Sequence, residues 1–358
     1  MIFNGLNIVN FRNIENADIS FSDGVNVICG ENAQGKTNLL EALWLFTGTK
    51  SFRGSKDKEL INFGKESAKL TLKFNDANRD QCAVIKIDGV RKAILNDVPQ
   101  SAAASLAGKI PVVVFSPADL SLVKDGPVQR RRFLDTSICQ LYPAFIDISR
   151  KYLRALDQRN KILKEIKYNE NLLSFIEDFE NEMAVSGAAV AGYRKRYVEK
   201  LKSKIPDIYG GISDGREKMT VEYIETADCD SEKFKNKLAA ARKNDILTGS
   251  TSIGPHRDDM DISLNGISAR SFGSQGQKRS AALALKMSES EVFFDITGKK
   301  PVLLLDDVLS ELDEHRQNYI LNHIGNRQVF ITCCDNGFTD MLKIGKILNL
   351  SGGKISEI

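Results

Sequence analysis

The chain has 358 residues, which allows two or three domains or one domain with a large insertion. Apolar residues make up 42%, enough to bury a sizeable core. The net charge of +3 excludes a histone-like polycation, so any nucleic-acid contact must come from a local patch.

Residues 1–29 alternate with the two-residue period of strands: LNIVNF, then ADISFS, a turn at Asp23-Gly24, then VNVIC. A helix is expected from Lys36 to about Phe46. AKLTLKFN (68–75), QCAVIKID (81–88) and IPVVVF (110–115) read as further strands, so the first third reads as one strand-rich sheet with one early helix. From about Pro143 to Lys204 the pattern is helical and charge-laced. There Ile148, Tyr152, Leu156, Leu163 and Ile166 fall near a 3.6-residue period. Pro206 and Gly210-Gly211 are expected to close this region. A strand, MTVEYIE, and a helix near 231–243 follow, and Asn265-Gly266 reads as a hairpin turn. PVLLLD (301–306) and QVFITC (328–333) look like buried parallel strands. ILNL, Ser351-Gly352-Gly353 and KISEI read as a terminal hairpin.

Six cysteines, at 29, 82, 139, 229, 333 and 334, include no Cys-x-x-Cys pair. They form neither a zinc pattern nor a disulfide framework and fit a reducing cytosol. No segment offers about 18 uninterrupted apolar residues, which predicts a soluble, cytoplasmic protein with no membrane contact.

Gly30-Glu31-Asn32-Ala33-Gln34-Gly35-Lys36-Thr37 matches G-x-x-x-x-G-K-[ST], between a strand (VNVIC) and a helix (TNLLEALWLF) as a phosphate-binding loop requires. Glycines let the backbone wrap closely, with its N–H groups facing phosphate oxygens. Lys36 is expected to reach the β- and γ-phosphates of ATP, and the Thr37 hydroxyl to ligate Mg²⁺. Asp306 ends an apolar strand, where a carboxylate can hold the same metal. Asp307 follows and is placed to orient or deprotonate an attacking water. Ser274, Gly276 and Gln277 open the helix KRSAALALKMSESEVFF, a second anion-binding site or an ordinary helix cap.

P-loop, Ser274-x-Gly276-Gln277, acidic strand and Ser310-Glu311-Leu312-Asp313, in this order, resemble the P-loop, signature, Walker B and D-loop of ABC ATPases. The resemblance implies that one subunit's signature closes over ATP held by another, in an ATP-dependent homodimer. The expected fold class is α/β: a P-loop ABC-type ATPase head, a mixed sheet around the P-loop helix, with an inserted mostly helical lobe. The expected division is ATPase lobe I at 1–115 plus 284–358 and helical lobe II, carrying the signature, at 116–283.

Within that superfamily, Asn10-Phe11-Arg12-Asn13 resembles the opening of the chromosome-maintenance and recombination branch. About 155 residues separate Phe115 from Ser271, too few at about 1.5 Å per residue for a long coiled-coil arm. The whole chain is similar to the RecF family of bacterial recombination mediators. The motifs that carry this are NFRN (10–13), the P-loop, SFR (51–53), VVVFSPADLSLVKDGPVQRRRFLD (112–135), GPHRDD (254–259), SQGQKR (274–279) and LLLDDVLSELD (303–313). The resemblance implies an ATPase that binds double- and single-stranded DNA at gaps or junctions. It also implies work with RecR and RecO, which helps RecA displace single-strand binding protein. The alternative is a transporter-type ABC subunit driving a separate membrane chain; a nuclease-coupled ATPase has no residues left for a nuclease segment.

Asp307 stands where ABC ATPases place Glu, Ser116-Pro117 replaces a Q-loop glutamine, and Cys333 replaces the switch histidine. Slow hydrolysis is expected. Arg12 resembles a phosphate- or adenine-contacting arginine, or is a solvated strand-end charge. Arg53 reads as a phosphate or DNA contact, or as surface. Arg130-Arg131-Arg132 reads as a solvated helix face or a contact for DNA or a partner. His256 and Arg257 belong to the family motif, or follow from a turn at Gly254-Pro255. Trp44 reads as core.

Overall fold

The structure, a computed structural model, describes residues 1–76, 79–166, 168–325, 327–334 and 345–357. Lys167, at the end of the first expected helical run, and Ile358, at the end of the terminal hairpin, lie outside it. So does the side chain of the D-loop residue Glu311.

In chain order the elements are β1 (Ile2–Phe11), β2 (Ile14–Ser20), β3 (Val25–Cys29), α1 (Lys36–Leu45), β4 (Ala68–Asp76), β5 (Arg79–Ile87), β6 (Arg91–Leu95), β7 (Val98–Pro99) and β8 (Val112–Phe115). Then come α2 (Ser121–Lys124), α3 (Pro127–Leu141), α4 (Ala144–Glu165), α5 (Leu173–Ile212), β9 (Met219–Ile224), α6 (Ser231–Thr248), β10 (Asp259–Leu264) and β11 (Ile267–Ser268). The last are α7 (Ala269–Phe272), α8 (Gln275–Thr297), β12 (Val302–Leu305), α9 (Glu314–His323), β13 (Val329–Cys333), β14 (Lys346–Ser351) and β15 (Lys354–Glu357). Two compact units result. One comprises Met1–Leu120, Gly211–Gly215 and Ala282–Ile358; the other comprises Ser121–Gly210 and Arg216–Ala281.

The first unit holds two six-stranded sheets, ordered β2-β1-β4-β5-β6-β7 and β15-β14-β3-β13-β12-β8. The first third of the chain therefore does not make a single sheet. β3 leaves its sequence neighbours and pairs in parallel with β13 and β14, while β1 pairs antiparallel with β2 and β4. The reason is in the side chains. β1 and β4 alternate buried residues with half-buried or exposed ones, whereas β3, β8, β12 and β13 are buried almost throughout, as strands covered on both faces must be. One core joins Leu6 and Ile8 of β1, Leu70 and Leu72 of β4, Leu39 and Leu43 of α1, and Val302 and Leu304 of β12. Trp44 belongs to it, and its Nε1 donates to the Lys50 carbonyl at 2.9 Å.

The second unit combines α3, α4, most of α5 and α6 with the three-stranded antiparallel sheet β11-β10-β9. The turn between β10 and β11 has φ of 50° at Asn265 and 79° at Gly266, the two positive angles a tight hairpin needs. Tyr152, Leu156, Leu163 and Ile166 of the expected amphipathic stripe are buried; Ile148 is only half-buried. Arg159 lies fully buried on the same helix, bonded to Asp245 at 2.7 Å, Thr251 at 2.8 Å and Glu180 at 2.9 Å. Pairing makes such a burial tolerable, since an unpaired interior charge costs several kcal/mol, of order 3–5. Pro206 does not close the helical region. α5 runs through it to Ile212, because Leu201, Ile205, Tyr209 and Ile212 continue a buried face past the one lost N–H.

Candidate nucleotide site

The P-loop follows β3 and caps α1. Gly30 has φ of 155° and Gly35 of 113°. A Cβ at Gly30 would stand 2.3 Å from the Leu350 carbonyl oxygen, and one at Gly35 2.5 Å from Asn13 Oδ1, so neither position admits a side chain. The loop is braced from two sides. Asn13 Nδ2 donates to the Gln34 carbonyl at 2.7 Å and Asn38 Nδ2 donates to Asn13 Oδ1 at 2.8 Å. From the terminal hairpin, the Gly352 N–H donates to Gln34 Oε1 at 2.5 Å. Glu31, Asn32 and Ala33 form the exposed tip, and Ala33 has φ of 66°.

Lys36 is buried, and its Nζ donates to the Gly30 carbonyl at 2.6 Å and to Cys334 Sγ at 3.2 Å. Thr37 Oγ1 donates to Asp306 Oδ1 at 2.9 Å, so the two expected metal ligands meet. Thr332 supports both acids: its hydroxyl donates to Asp306 Oδ1 at 3.1 Å and accepts the Asp307 N–H at 2.8 Å. Burial pushes the Asp306 carboxyl above the usual carboxylate range, opposed by its hydrogen bond from Thr37 and reinforced by the neighbouring charge of Asp307. Asp307 sits in the left-handed region at φ of 52°.

Cys333 does not stand at the switch position towards the loop. It is buried in the sheet with its Sγ 3.2 Å from Cys29 Sγ, because it is the register partner of Cys29 across β3 and β13. Cys334, the next residue, faces the P-loop instead and its thiol contacts Asn32 Oδ1 at 3.0 Å. Strand alternation, which turns successive side chains to opposite faces, explains the exchange.

Arg12 is neither solvated nor loose. Its Nε and Nη2 donate to the Glu41 carboxylate at 2.9 and 3.1 Å, with further bonds to Ser55 Oγ at 2.6 Å and the Glu59 carbonyl at 2.8 Å. Glu41, fully buried on α1, also accepts from Ser51, and Arg53 Nη1 stands 3.9 Å away. Arg53 Nη1 donates to Asn38 Oδ1 at 2.9 Å. Glu41, Asn13, Thr332 and Cys334 were not expected at the site. An acid inside the apolar run LLEALWLF was the signal for Glu41, and Asn13 stood within the NFRN motif.

The residues match the RecF/RecN/SMC N terminal domain family model from 2 to 349. The chain is 40% identical to DNA replication and repair protein RecF of Agathobacter rectalis over all of this chain and 99% of that one. It is 39% identical to the protein of that name from Clostridium acetobutylicum, over the whole of both chains. A solved structure of the recombination mediator protein RecF-ATP in the RecFOR pathway superposes with a TM-score of 0.92 at 34% identity, covering all of this chain and 97% of that one. The chain belongs to the RecF family. An Smc head domain of Pyrococcus furiosus, at 16% identity and a TM-score of 0.56, shares the fold alone.

RecF membership decides for a DNA replication and repair role over a transporter-type subunit. No helix among the described residues is long and apolar enough to cross a membrane. The residues expected to form a signature open α8. Ser274 N donates to Gln277 Oε1 at 2.7 Å and Gln277 N donates to Ser274 Oγ at 3.2 Å, a reciprocal capping box. Ser274 is exposed, and Gly276 lies within the first turn.

The arginine run is a solvated face only at Arg132, which is exposed. Arg130 is buried and grips Asp259 with two bonds of 2.7 and 2.9 Å, and Arg131 donates to the Asp258 carbonyl at 2.7 Å. GPHRDD is thus a hydrogen-bonded hub, with Gly254, Pro255 and Asp258 buried and Arg257 exposed. Asp258 accepts from Tyr223, from Thr226 N at 2.6 Å and from Thr226 Oγ1 at 2.8 Å. His256 lies between the Tyr152 hydroxyl at 2.6 Å and the Thr251 carbonyl at 3.1 Å. Positive charge gathers elsewhere. On the antiparallel sheet Lys69, Lys86 and Lys92 are direct register partners across β4, β5 and β6, all exposed, with Lys73 further along β4. Like charges placed opposite one another repel, and of the three Lys92 is also paired with Asp88 at 2.9 Å.

Proposed function

We propose that this chain is an ATP-switched DNA-binding protein and a slow, DNA-stimulated ATPase. Hydrolysis serves binding and release and makes no chemical change in DNA. The observation that carries the reading is the meeting of Thr37 with Asp306 beside the glycine-built loop. The residues fit the group: a loop closed to side chains at Gly30 and Gly35 suits phosphate, and a hydroxyl paired with a carboxylate suits a hard cation such as Mg²⁺.

In this reading Gly30 to Gly35 offer backbone N–H groups to the phosphates and Lys36 exchanges its loop carbonyl for phosphate oxygens. Thr37 and Asp306 hold Mg²⁺, which supplies charge neutralisation on the phosphates when bound. Asp307 orients the attacking water; its carboxylate, one methylene shorter than glutamate's, makes a weak base position and slow turnover. Ser274, Gly276 and Gln277 of a second copy complete the site in an ATP-dependent homodimer, and Arg12 acts by pairing with Glu41 of α1, which holds the P-loop helix in place. Double- or single-stranded DNA meets the lysine row. Relatives named for the RecFOR pathway support RecO and RecR as partners in loading RecA, and this role supports a cytoplasmic location.

The test is ATPase rate and particle mass with and without double-stranded DNA, on the wild type and Lys36→Ala. Wild-type nucleotide affinity in the lysine variant overturns the site; an ATPase and mass indifferent to DNA overturn the switch.

A further inference from the structure

The signature capping box is locked from behind. Gln277 Nε2 donates to Glu217 Oε1 at 2.6 Å, and the other oxygen, Glu217 Oε2, accepts from the Tyr209 hydroxyl at 2.7 Å. Tyr209 is fully buried at the end of the second unit's share of α5, whereas Ser274 is exposed. The capping box turns the Gln277 amide oxygen towards the Ser274 N–H, and the Glu217 carboxylate reinforces that orientation by accepting from the amide NH₂. With the amide turned over, its oxygen would face Glu217 and its NH₂ the Ser274 N–H, two repulsive contacts in place of two hydrogen bonds, where the box by itself would set only one against the flip.

We propose that Glu217 is a positioning residue for the signature segment. It orients the Gln277 amide so that Ser274 and the first turn of α8 are held in their contact geometry before a second copy of the chain arrives. The inference rests on reading Ser274–Gln277 as the segment that meets the partner's nucleotide. Its physical content is preorganisation: a donor set already fixed spends less of the association free energy on ordering. Glu217 touches neither nucleotide nor metal in this account and acts only through Gln277.

The experiment compares Glu217→Ala, Glu217→Gln and Tyr209→Phe with the wild type. It reads ATP affinity, the protein concentration at the midpoint of ATP-driven dimerisation, and amide hydrogen exchange in the α8 first turn of the nucleotide-free protein. Glu217→Ala should keep ATP affinity within about twofold, shift the dimerisation midpoint up by about tenfold or more, and speed exchange at Ser274 and Gln277, since a hydrogen bond to a charged group is removed. Glu217→Gln should stay near the wild type, because its amide oxygen still accepts from Gln277 and its NH₂ donates to the Tyr209 oxygen. Tyr209→Phe, which keeps the ring packing, should fall between and serves if the alanine variant does not fold. Unchanged exchange and an unchanged midpoint in Glu217→Ala overturn the proposal, as does a glutamine variant as impaired as the alanine one. A wild type that binds ATP without dimerising overturns the partner reading instead, and hydrogen exchange then decides the positioning role by itself.

Discussion

Thr37 Oγ1 and Asp306 Oδ1, 269 positions apart in sequence, are joined by a hydrogen bond of 2.9 Å. It links the first turn of α1 to the end of β12, and Thr332 completes the arrangement from β13 with its 3.1 Å bond to the same carboxylate oxygen. Groups that orient a metal-binding carboxylate typically contribute about 10–100-fold in metal affinity. Thr332→Val keeps the shape and removes the hydroxyl. It should weaken the Mg²⁺ dependence of ATP binding by about 10–100-fold, read by calorimetric titration at several Mg²⁺ concentrations. An unchanged Mg²⁺ dependence would show that Thr332 only satisfies the Asp307 N–H.

Asp306 and Asp307 should respond differently to amidation. Asp307→Asn should preserve ATP binding and lengthen the life of the ATP dimer on DNA, while Asp306→Asn should weaken Mg²⁺-dependent binding. Burial raises the Asp306 pKa, so the folded state holds a proton that the unfolded chain has already lost. Stability of the nucleotide-free protein therefore falls as pH rises from the ordinary carboxylate value through the raised one. Asp306→Asn should remove that loss and raise the melting temperature of the nucleotide-free protein near pH 7. Equal ATP affinity and dimer lifetime in the two variants would refute the division of roles.

Ser274→Arg should leave ATP binding by the monomer intact and abolish ATP-driven dimerisation. The long side chain would fill the exposed mouth of the α8 N-terminus, where the proposed homodimer places a partner's phosphate. Light scattering during an ATP titration reads the outcome. A variant that dimerises normally would reduce residues 274–277 to a helix cap.

The lysine row predicts a trade between stability and binding. Replacing the central member, Lys86→Gln, relieves like-charge repulsion and should stabilise the protein by about 0.2–1 kcal/mol. It should also weaken DNA binding. The log–log salt slope should become shallower by about 0.9 for each phosphate that is no longer neutralised. Affinity measured between low and moderate salt decides the matter: an unaltered slope places the DNA-binding surface elsewhere.

His256 makes the second unit acid-sensitive. Burial lowers its pKa from 6.5, and Arg257 and Arg131 act in the same direction, while the Thr251 carbonyl and Asp258 oppose them. The unfolded chain thus takes up a proton that the folded one refuses. Stability is whole above about pH 6.5 and declines as pH falls below it. Urea unfolding from pH 7.5 to 5 should show this slope in the wild type, and His256→Asn should flatten it. A wild type equally stable across that range would mean that His256 accepts its proton in place.

Some of the molecule is written in contiguous residues. The P-loop was legible because two glycines, a lysine and a threonine at fixed spacing dictate backbone angles and put the donors in one turn. The same holds for Asn265-Gly266 and for the apolar runs that became β12 and β13. Ser274 and Gln277 were legible as a cap, since their partners lie three residues apart. In each case the determining interactions are local, and residue type alone selects them.

Tertiary structure decided the rest, for a reason that is the same each time. Whether Cys333 or Cys334 faces the loop depends on the register of β13 against β3. Whether Lys69, Lys86 and Lys92 form a row depends on the register of three strands. The acid that Arg130 grips, the network that buries Arg159, and the helix that continues past Pro206 depend on which apolar faces close against each other. Sequence sets which side chains a segment must bury or expose. Only packing between distant segments sets which of the remaining groups meet, because the energy of each such pair exists only once both segments are in place.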